Sequence, residues 1–536
     1  MKRFNKKSLA LLLAAVLGFS LVACNNTDDP DTTDDSGEDT ENVDDSGDEE
    51  EVLEFTLMSS IWGDHEKSLN EDESNIVLDK IQENTNTKVN FEWYPADQYD
   101  NRITTTLSSG DIPEVINGGG DKLIEEGAAV PLDDLLEEYG QNILASYEGN
   151  PIEENKLKSS KDGKTYMIPF VLDYPPAYSW SIRADWLENV GIDEMPETWD
   201  DWLEVWDAFK NDDPNQDGNN TNDIPYSGDI YSLMPIFGMN VSNKFGMMID
   251  EDNNWTLAEE SPYFKTFLEE VRMMYDKGYL DQEFTQRGNY VDVNALQTAI
   301  MSGIAGSTFT WAAATETSTL ALQEVDENAR LVGIEPPTGP DGFSGIPARN
   351  SVSPTSVITI AAEKRDIVDD LVKFFDYVFS DEGTRIMSYG VEGETYELVD
   401  GEPVLHDDVA ENFNNARQAG LNFTPLAHNF DPEAYETIML SGKTYEESDT
   451  ATQYFYDALY KAEDDWFYGA PILNTEAFVD KGTEVFGQLA TALANCVIDE
   501  ISIDEFYAQY ENLKDAGLQD IIDQGNEVWQ ELNSLN

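Results

Sequence analysis

The chain has 536 residues, of which 108 are Asp or Glu and 31 are Lys or Arg, so its formal net charge at pH 7 is −77. Recognition of nucleic acid or of anionic lipid needs clustered cations, and this shortage of them excludes both functions. The length exceeds what one hydrophobic core supports and favours two lobes.

The N-terminus predicts export followed by lipid anchoring. Four basic residues precede an apolar run over residues 9–22, which is shorter than a membrane-spanning helix requires. The run ends in Leu21-Val22-Ala23-Cys24, which resembles the bacterial lipobox, where the cysteine receives a diacylglycerol before cleavage. We therefore expect residues 1–23 to be a lipoprotein signal peptide and Cys24 to tether the protein to the extracellular face of the bacterial cell membrane.

The next segment predicts a spacer. Residues 24–51 contain fourteen acidic residues and no basic one, and they are almost devoid of apolar side chains. Such a segment cannot bury enough surface to offset its conformational entropy, and its like charges repel one another. We expect a disordered acidic tether here.

From residue 52 onward, strand and helix patterns alternate. Apolar side chains alternate over residues 53–58 and 88–93, a helical pattern lies between these two strands, and a further strand pattern follows near residues 111–116. Strands that alternate with helices indicate an α/β sheet.

Farther along, the patterns are mostly helical. Thr198 and Asp201 have the spacing of a capping box that opens a helix over residues 199–210. Trp199, Trp202 and Trp206 fall on one face of that helix, which predicts packing in a core. Helical spacing also recurs over residues 367–378, within 475–494 and from 503 to the C-terminus.

Several short motifs resemble, in order, those of the extracellular solute-binding proteins of ABC importers, especially the lipoprotein-type group that handles oligosaccharides such as aldouronates. They are residues 108–115 (SSGDIPEV), 127–135 (GAAVPLDDL), 163–169 (GKTYMIP), 183–187 (RADWL), 380–383 (SDEG) and 389–393 (YGVEG). The resemblance implies a helix-rich periplasmic-binding-protein type II fold, in which two α/β lobes joined by a hinge of several crossings clamp a solute. It also implies a monomer that delivers its ligand to permease subunits, without catalysis and without a catalytic cofactor.

The same resemblance sets the expected domain boundaries. Lobe one is expected to comprise residues 52–170 and 337–385, and lobe two residues 171–336. The helical part from residue 386 to 536 is expected to pack mainly on lobe two.

One loop predicts a structural calcium ion. Asp213, Asn215 and Asp217, followed by Gly218, match the opening of an EF-hand loop, in which alternate oxygen ligands face the cation. The twelfth position is Ile224 instead of the usual Glu, and the resembling family carries a related loop that is one residue shorter. The expected ligand set is Asp213, Asn215, Asp217, Asn219, Asn222 and Asp223. The alternative is an Asx-rich surface turn without metal.

The aromatic content suggests the ligand. Eleven Trp and an aromatic share of 11% suit a cleft in which rings stack on the C–H faces of sugars while polar side chains bind hydroxyls. The candidates at strand ends and loops are Trp62, Asp64, Asp121, Asp173, Tyr174, Tyr178, Trp180, Trp311, Arg349 and Asn350. Each of them could instead be buried in a lobe. Because few arginines, chiefly Arg183 and Arg349, are expected near the cleft to receive a uronate, a neutral oligosaccharide is favoured.

Three alternatives remain at this point. A glycoside-acting enzyme needs two carboxylates at a scissile bond, but 108 acidic residues make any such pair uninformative. The sequence contains no HExxH, GxSxG or P-loop motif, and its three His share no metal-ligand spacing. A carbohydrate-sensing lipoprotein without a transport role, or a peptide-binding one, would differ only in its partner or in the lining of its cleft.

Overall fold

The structure, a computed structural model, describes residues 52–61, 75–172, 178–219, 221–285, 299–324, 326–347, 352–411, 413–440, 442–448, 452–453, 456, 466–467 and 469–535. The predicted signal peptide, Cys24 and the predicted tether lie outside the described residues. Within the described part of the chain, no helix has both the length and the apolar character needed to span a bilayer.

The strands are numbered in chain order. They are β1 Leu53–Ile61, β2 Thr87–Pro95, β3 Val115–Asn117, β4 Met167–Leu172, β5 Tyr178–Arg183, β6 Ile224–Tyr226, β7 Met247–Ile249, β8 Trp255–Leu257, β9 Ala305–Trp311, β10 Leu331–Ile334, β11 Ile346–Pro347, β12 Val352–Ile358, β13 Tyr396–Val399, β14 Glu402–Leu405, β15 Asn429–Phe430 and β16 Trp466–Phe467.

The first lobe is built on a six-stranded sheet in the order β15-β4-β12-β3-β1-β2. β1 pairs in parallel with β2 and β3, and β15 pairs in parallel with β4, whereas β12 runs antiparallel to β3 and β4. Burial alternates along β2, where Val89 and Phe91 are buried and Lys88 and Glu92 are exposed. This period of two confirms the strands predicted at residues 53–58 and 88–93.

Amphipathic helices cover this sheet and complete the first core. In the helix Val368–Phe379, Leu371, Phe375 and Val378 are buried at the predicted helical spacing. The helices of this lobe are Ile76–Thr85, Tyr99–Ser109, Gly120–Glu125, Asp133–Tyr139, Gln141–Ala145, Ile360–Arg365, Val368–Phe379, Asp381–Tyr389, Asp407–Ala410, Phe413–Gln418 and Pro432–Met439. The short helix Pro151–Asn155 packs Ile152 against the core of the second lobe.

The second lobe is built on a four-stranded sheet in the order β10-β5-β9-β6. β5 runs antiparallel to both β9 and β10, and β6 is parallel to β9. The helix Trp199–Asn211 packs on this sheet and begins with the predicted capping box of Thr198 and Asp201. Its three tryptophans are buried in the second core, which confirms their predicted role in packing.

The other helices of the second lobe come from two separate parts of the chain. They are Ala184–Val190, Phe264–Lys277, Ala312–Gln323, Glu476–Val497, Ile503–Leu513 and Gln519–Leu535, the last two being joined by the π-helical turn Lys514–Leu518. Short 3-10 helices occupy Tyr231–Phe237 and Ala258–Glu260.

The chain after residue 385 divides between the two lobes. Tyr396, Leu421 and Ile438 are buried in the first core, whereas Val485 and Leu493 are buried in the second. The expectation that all of residues 386–536 pack mainly on lobe two is therefore corrected, because the part up to the helix Pro432–Met439 belongs to lobe one. Helical periodicity shows that a segment has an apolar face but does not identify which core covers it.

Candidate functional site

The strand directions of the first sheet define one edge. β1, β2, β3, β4 and β15 all run the same way, so their C-terminal ends lie at one edge of the sheet, and the antiparallel β12 begins there. Near this edge, within the last three residues of their strands, lie Ser59 in β1, Trp93 in β2 and Asn117 in β3. Ligands of open α/β sheets bind outside the carboxyl ends of the strands.

The second sheet presents a corresponding edge. Tyr178, the first residue of β5, pairs with Trp311, the last residue of β9, and β6 and β10 end on the same side. The chain passes between the two lobes three times, from β4 into β5, from β10 through β11 into β12, and from the helix Pro432–Met439 to the helix Glu476–Val497. We call the place where these two sheet edges are connected the junction.

Six predicted ligand contacts fall outside the described residues. They are Trp62, Asp64, Asp173, Tyr174, Arg349 and Asn350. The strands next to them in the sequence, β1, β4 and β12, end or begin at the junction. The six assignments stay predictions.

Two of the predicted aromatic residues occupy the first part of β5. Tyr178 is half-buried and stacks on Phe309, with ring centroids 5.6 Å apart and an interplanar angle of 15°. Trp180 lies on the same face two residues farther from the junction, and it is fully buried against Trp202 and Tyr226. The prediction that Trp180 contacts ligand is therefore corrected, because neighbouring rings cover it completely. Only the backbone of Trp311 is described.

Asp121 follows β3 and a run of three glycines. Gly118 and Gly119 have φ values of +76° and +66°, which favour glycine. The sequence predicted that bare backbone here would let a ligand approach closely. In the structure the space is taken by the first core, since a Cβ on Gly119 would lie 2.8 Å from Cδ1 of Ile103. The Asp121 carboxylate is exposed, and its Oδ1 accepts a hydrogen bond from Nδ2 of Asn474 at 3.2 Å.

Arg183, which the sequence placed near the cleft, lies at the far end of β5. It pairs with Leu331 in the sheet, and its Nε donates to Oδ1 of Asp185 at 2.8 Å in a buried ion pair. The expectation that it lies near the cleft is corrected. The side chain is engaged within lobe two and cannot receive an anionic ligand at the junction.

Two aromatic residues at the end of β2 were missed by the sequence analysis. Trp93 is half-buried and stacks on Phe91 at 5.0 Å, and the guanidinium of Arg102 lies 4.4 Å from the ring centre of Tyr94. The sequence does contain a signal for them, because an aromatic pair near the carboxyl end of a parallel strand lies at the edge where such sheets bind ligands.

Asp229 was also missed, although Ser227-Gly228-Asp229 directly follows β6. Its Oδ1 accepts hydrogen bonds from the backbone N–H groups of Tyr231 and Ser232, at 2.7 and 3.1 Å. Oδ2 is buried and has no hydrogen-bond partner. Burial raises the pKa of this carboxyl to about 6, against the opposing effect of those hydrogen bonds. A buried carboxylate with an unused acceptor therefore lies three residues beyond the end of β6.

The predicted calcium loop forms a series of Asx turns. The N–H of Gly218 donates to the carboxylate of Asp213, and the N–H of Asp217 donates to Oδ1 of Asn215 at 3.0 Å. Asn215 also donates to Oδ1 of Asp223 at 2.6 Å. Among the described residues no group of three or more His, Cys or acidic side chains converges as a metal site.

The loop nevertheless leaves oxygen donors unused. Oδ1 of Asn222 and Oδ2 of Asp223 are buried without a hydrogen-bond partner. Burial, and then the nearby charges of Asp217 and Asp213, raise the pKa of Asp223 to about 6. A hard cation such as calcium binds oxygen donors and relieves the repulsion between neighbouring carboxylates. The donor atoms of this loop therefore fit that ion.

Known proteins resemble this chain in sequence. Residues 68–385 match the family model of the bacterial extracellular solute-binding proteins. The lipoprotein LipO of Bacillus subtilis is 26% identical over 489 residues, which cover 85% of this chain and 88% of LipO.

Two solved structures share the fold. The alginate-binding protein AlgQ2, solved without calcium ion, has a TM-score of 0.71 at 24% identity and covers 90% of this chain and 98% of its own. An EF-hand mutant of FusA from S. pneumoniae, in complex with fructo-nystose, has a TM-score of 0.64 at 19% identity and covers 90% of this chain and all of its own. The predicted two-lobed α/β fold of a binding protein is confirmed.

Proposed function

Because the chain belongs to the bacterial extracellular solute-binding proteins, we propose that it captures a neutral oligosaccharide at the junction and delivers it unchanged to an ABC importer. Members of this family bind their solute for import and are not enzymes. Closure of two lobes on a ligand requires only that the ligand binds the closed arrangement more tightly than the open one.

The observation that carries the proposal is the repeated connection between the two lobes. The sheet edges that it connects contain the ends of β1–β4 in one lobe and the start of β5 and the end of β9 in the other, with half-buried aromatic rings in each lobe. Trp93 and Tyr94 would offer stacking faces from lobe one, and Tyr178 and Trp311 from lobe two. Sugars need such faces together with polar acceptors.

The charges at the junction favour a neutral sugar. Asp121 and Asp229 supply carboxylate oxygens that accept hydrogen bonds from hydroxyls, whereas Arg183 is held in its pair with Asp185. A uronate would be repelled by the strongly negative protein, and few cationic side chains would offset that repulsion. AlgQ2 is named for alginate and the FusA complex holds fructo-nystose, so relatives of this fold differ in the charge of their ligands.

The sequence supports a location for this activity. Residues 1–23 and Cys24 form a lipoprotein signal and acylation site, and residues 24–51 would hold the lobes away from the membrane surface. LipO, a relative over most of the chain, is itself a lipoprotein. The partners proposed are permease subunits of the importer, with the binding protein acting as a monomer.

A panel of saccharides tests the ligand class. Neutral oligosaccharides, including kestose and fructo-nystose, are expected to raise the melting temperature by several degrees, since ligand binds only the folded state. Chromatography should recover the sugar intact. A shift confined to uronate-containing oligosaccharides would overturn the neutral assignment. A shift with peptides alone, or hydrolysis of the sugar, would overturn the proposed function.

We also propose that the loop containing Asp213 and Asp223 holds a structural calcium ion. Asp213, Asn215, Asp217, Asn219, Asn222 and Asp223 would supply its oxygen ligands. The two buried oxygens without partners support this assignment. The ion would supply positive charge that neutralises the crowded carboxylates, and it would take no part in ligand chemistry.

Adding calcium to protein treated with EGTA is expected to raise its melting temperature by a few degrees. Calcium at about 100 times its Kd would stabilise the folded state by roughly 2.7 kcal/mol. The variant Asp217→Asn/Asp223→Asn should lose the response. Asp250→Asn is the matched control, because Asp250 accepts from the N–H groups of Asp252 and Asn254 in a similar loop of the same lobe. An equal calcium response in the double variant would contradict the assignment.

A further inference from the structure

A hydrogen bond between two polar side chains joins the lobes. Nδ2 of Asn474 donates to Oδ1 of Asp121 at 3.2 Å, and the two residues are 353 positions apart in sequence. Asp121 lies two residues before Leu123, which is buried in the first core, and Asn474 follows Leu473, which is buried in the second core. The bond therefore connects two bodies that have separate hydrophobic cores.

The first-lobe end of this bond is held firmly in place. Gly119 packs against Ile103 so closely that a Cβ would lie 2.8 Å from it, and Gly120 packs against the side chain of Met167. The N–H of Leu123 donates to the carbonyl of Gly119 at 2.9 Å. Asp121 therefore cannot move far without disturbing the packing of the glycine turn on the first core.

The second-lobe end is held in the same way. Nε1 of Trp255, a buried residue, donates to the carbonyl of Pro471 at 2.9 Å. The N–H of Thr475 donates to the carbonyl of Leu473 at 2.8 Å, and Oγ1 of Thr475 accepts from the N–H of Phe478 as the N-cap of a long helix. Asn474 lies between these two anchors.

Because both ends are fixed to their own lobe, the bond can form only at one separation of the lobes. It therefore lowers the free energy of that arrangement relative to wider ones. We infer that Asp121 and Asn474 form a closure contact that sets how much of the ligand-free protein has its lobes together. This inference rests on the proposed function, and it gives the Asp121 carboxylate a positioning role between the lobes in addition to the hydrogen bond with sugar proposed for it.

The size of the effect follows from the kind of bond. A hydrogen bond to a charged group at an exposed site changes a two-state equilibrium by about three- to tenfold. Ligand affinity scales with the fraction of protein in the competent arrangement, so removing the bond should weaken binding by a similar factor at most.

Small-angle X-ray scattering of the full-length protein without saccharide tests the inference. Asn474→Ala is expected to raise the radius of gyration, and Asn474→Asp to raise it further, because two carboxylates would then face each other. The double variant Asp121→Asn/Asn474→Asp exchanges donor and acceptor, and it should restore the wild-type value.

The matched control is Asn142→Ala. Nδ2 of Asn142 donates to Oδ2 of Asp376 at 2.8 Å, which is the same kind of exposed bond, but it lies within the first lobe. This variant should leave the radius of gyration unchanged. Scattering from Asn474→Ala and Asn474→Asp that matches wild type would overturn the inference, as would failure of the exchanged pair to restore compactness. Since no sugar is present, these outcomes do not depend on the proposed ligand.

Discussion

Replacing Glu259 by glutamine is expected to remove a loss of stability that the wild-type protein undergoes as the pH rises from about 4.5 to about 8. Glu259 is 4% exposed, and neither of its carboxylate oxygens has a hydrogen-bond partner. Burial, with a smaller contribution from the neighbouring charge of Glu260, raises its pKa from 4.5 to about 8.

The direction of the pH dependence follows from proton binding. Between these two pH values the folded protein holds a proton at Glu259 that the unfolded chain has released, so the free energy of unfolding falls as the pH rises. The contribution is fully present below pH 4.5 and is lost through about pH 8. A difference of this size corresponds to roughly 3–5 kcal/mol. Glutamine carries no titrating proton, so its contribution is constant.

Urea unfolding at a series of pH values from 5 to 9 measures this effect as the difference between wild type and Glu259→Gln. Glu260→Gln is the control, because the Glu260 carboxylate is paired with Nζ of Lys514 at 2.5 Å and accepts from the hydroxyl of Tyr510 at 2.8 Å. That variant should keep most of the pH dependence of wild type and lose only the smaller part that the Glu260 charge contributes. Parallel curves for wild type and Glu259→Gln would show that the buried carboxyl has a partner or a normal pKa.

Truncating Trp206 to alanine is expected to destabilise the second lobe by about 3–5 kcal/mol. The side chain is fully buried, and its rings pack against Trp199 at 5.4 Å and Trp202 at 5.3 Å. Its Nε1 also donates to Oγ of Ser307 on β9 at 2.9 Å. The substitution would leave a large cavity between the helix Trp199–Asn211 and the sheet, together with a hydroxyl that has lost one partner.

Urea unfolding compares this variant with Trp206→Phe. Phenylalanine keeps most of the ring contacts and loses the indole hydrogen bond, so its cost should be clearly smaller. A loss of less than about 1 kcal/mol in Trp206→Ala would mean that the second core collapses around the cavity or that the packing differs from this structure.

The predictable parts of the fold are those that depend on residues close together in the sequence. The alternation in β1 and β2, the capping box of Thr198 and Asp201, and the tryptophans of one helix face depend on neighbours a few residues away. The placement of residues 386–440 was not predictable in this way. Tyr396 and Leu421 join the first core through contacts with distant segments, and nothing in their own spacing specifies that core.

In the candidate site, too, local sequence predicts some features, and contacts with distant segments determine the others. Tyr178 and Trp180 share a face of β5, so periodicity treats them alike, and only their distance from the strand end separates a half-buried ring from a covered one. The engagement of Arg183 with Asp185 is local in sequence, yet its position at the far end of β5 depends on pairing with Leu331. The contact of Asp121 with Asn474 joins residues 353 positions apart, and no local pattern signals it.

Hydrogen–deuterium exchange, with and without the neutral oligosaccharide that most raises the melting temperature, tests the capture of a sugar between the lobes most directly. Slower exchange is expected at both sheet edges together, in peptides that end β1, β2 and β3 and in peptides that cover the start of β5 and the end of β9. Peptides from the helix Ile503–Leu513 should exchange alike in both states. Protection confined to one lobe, or lying away from both edges, would show that the sugar is not captured between the lobes.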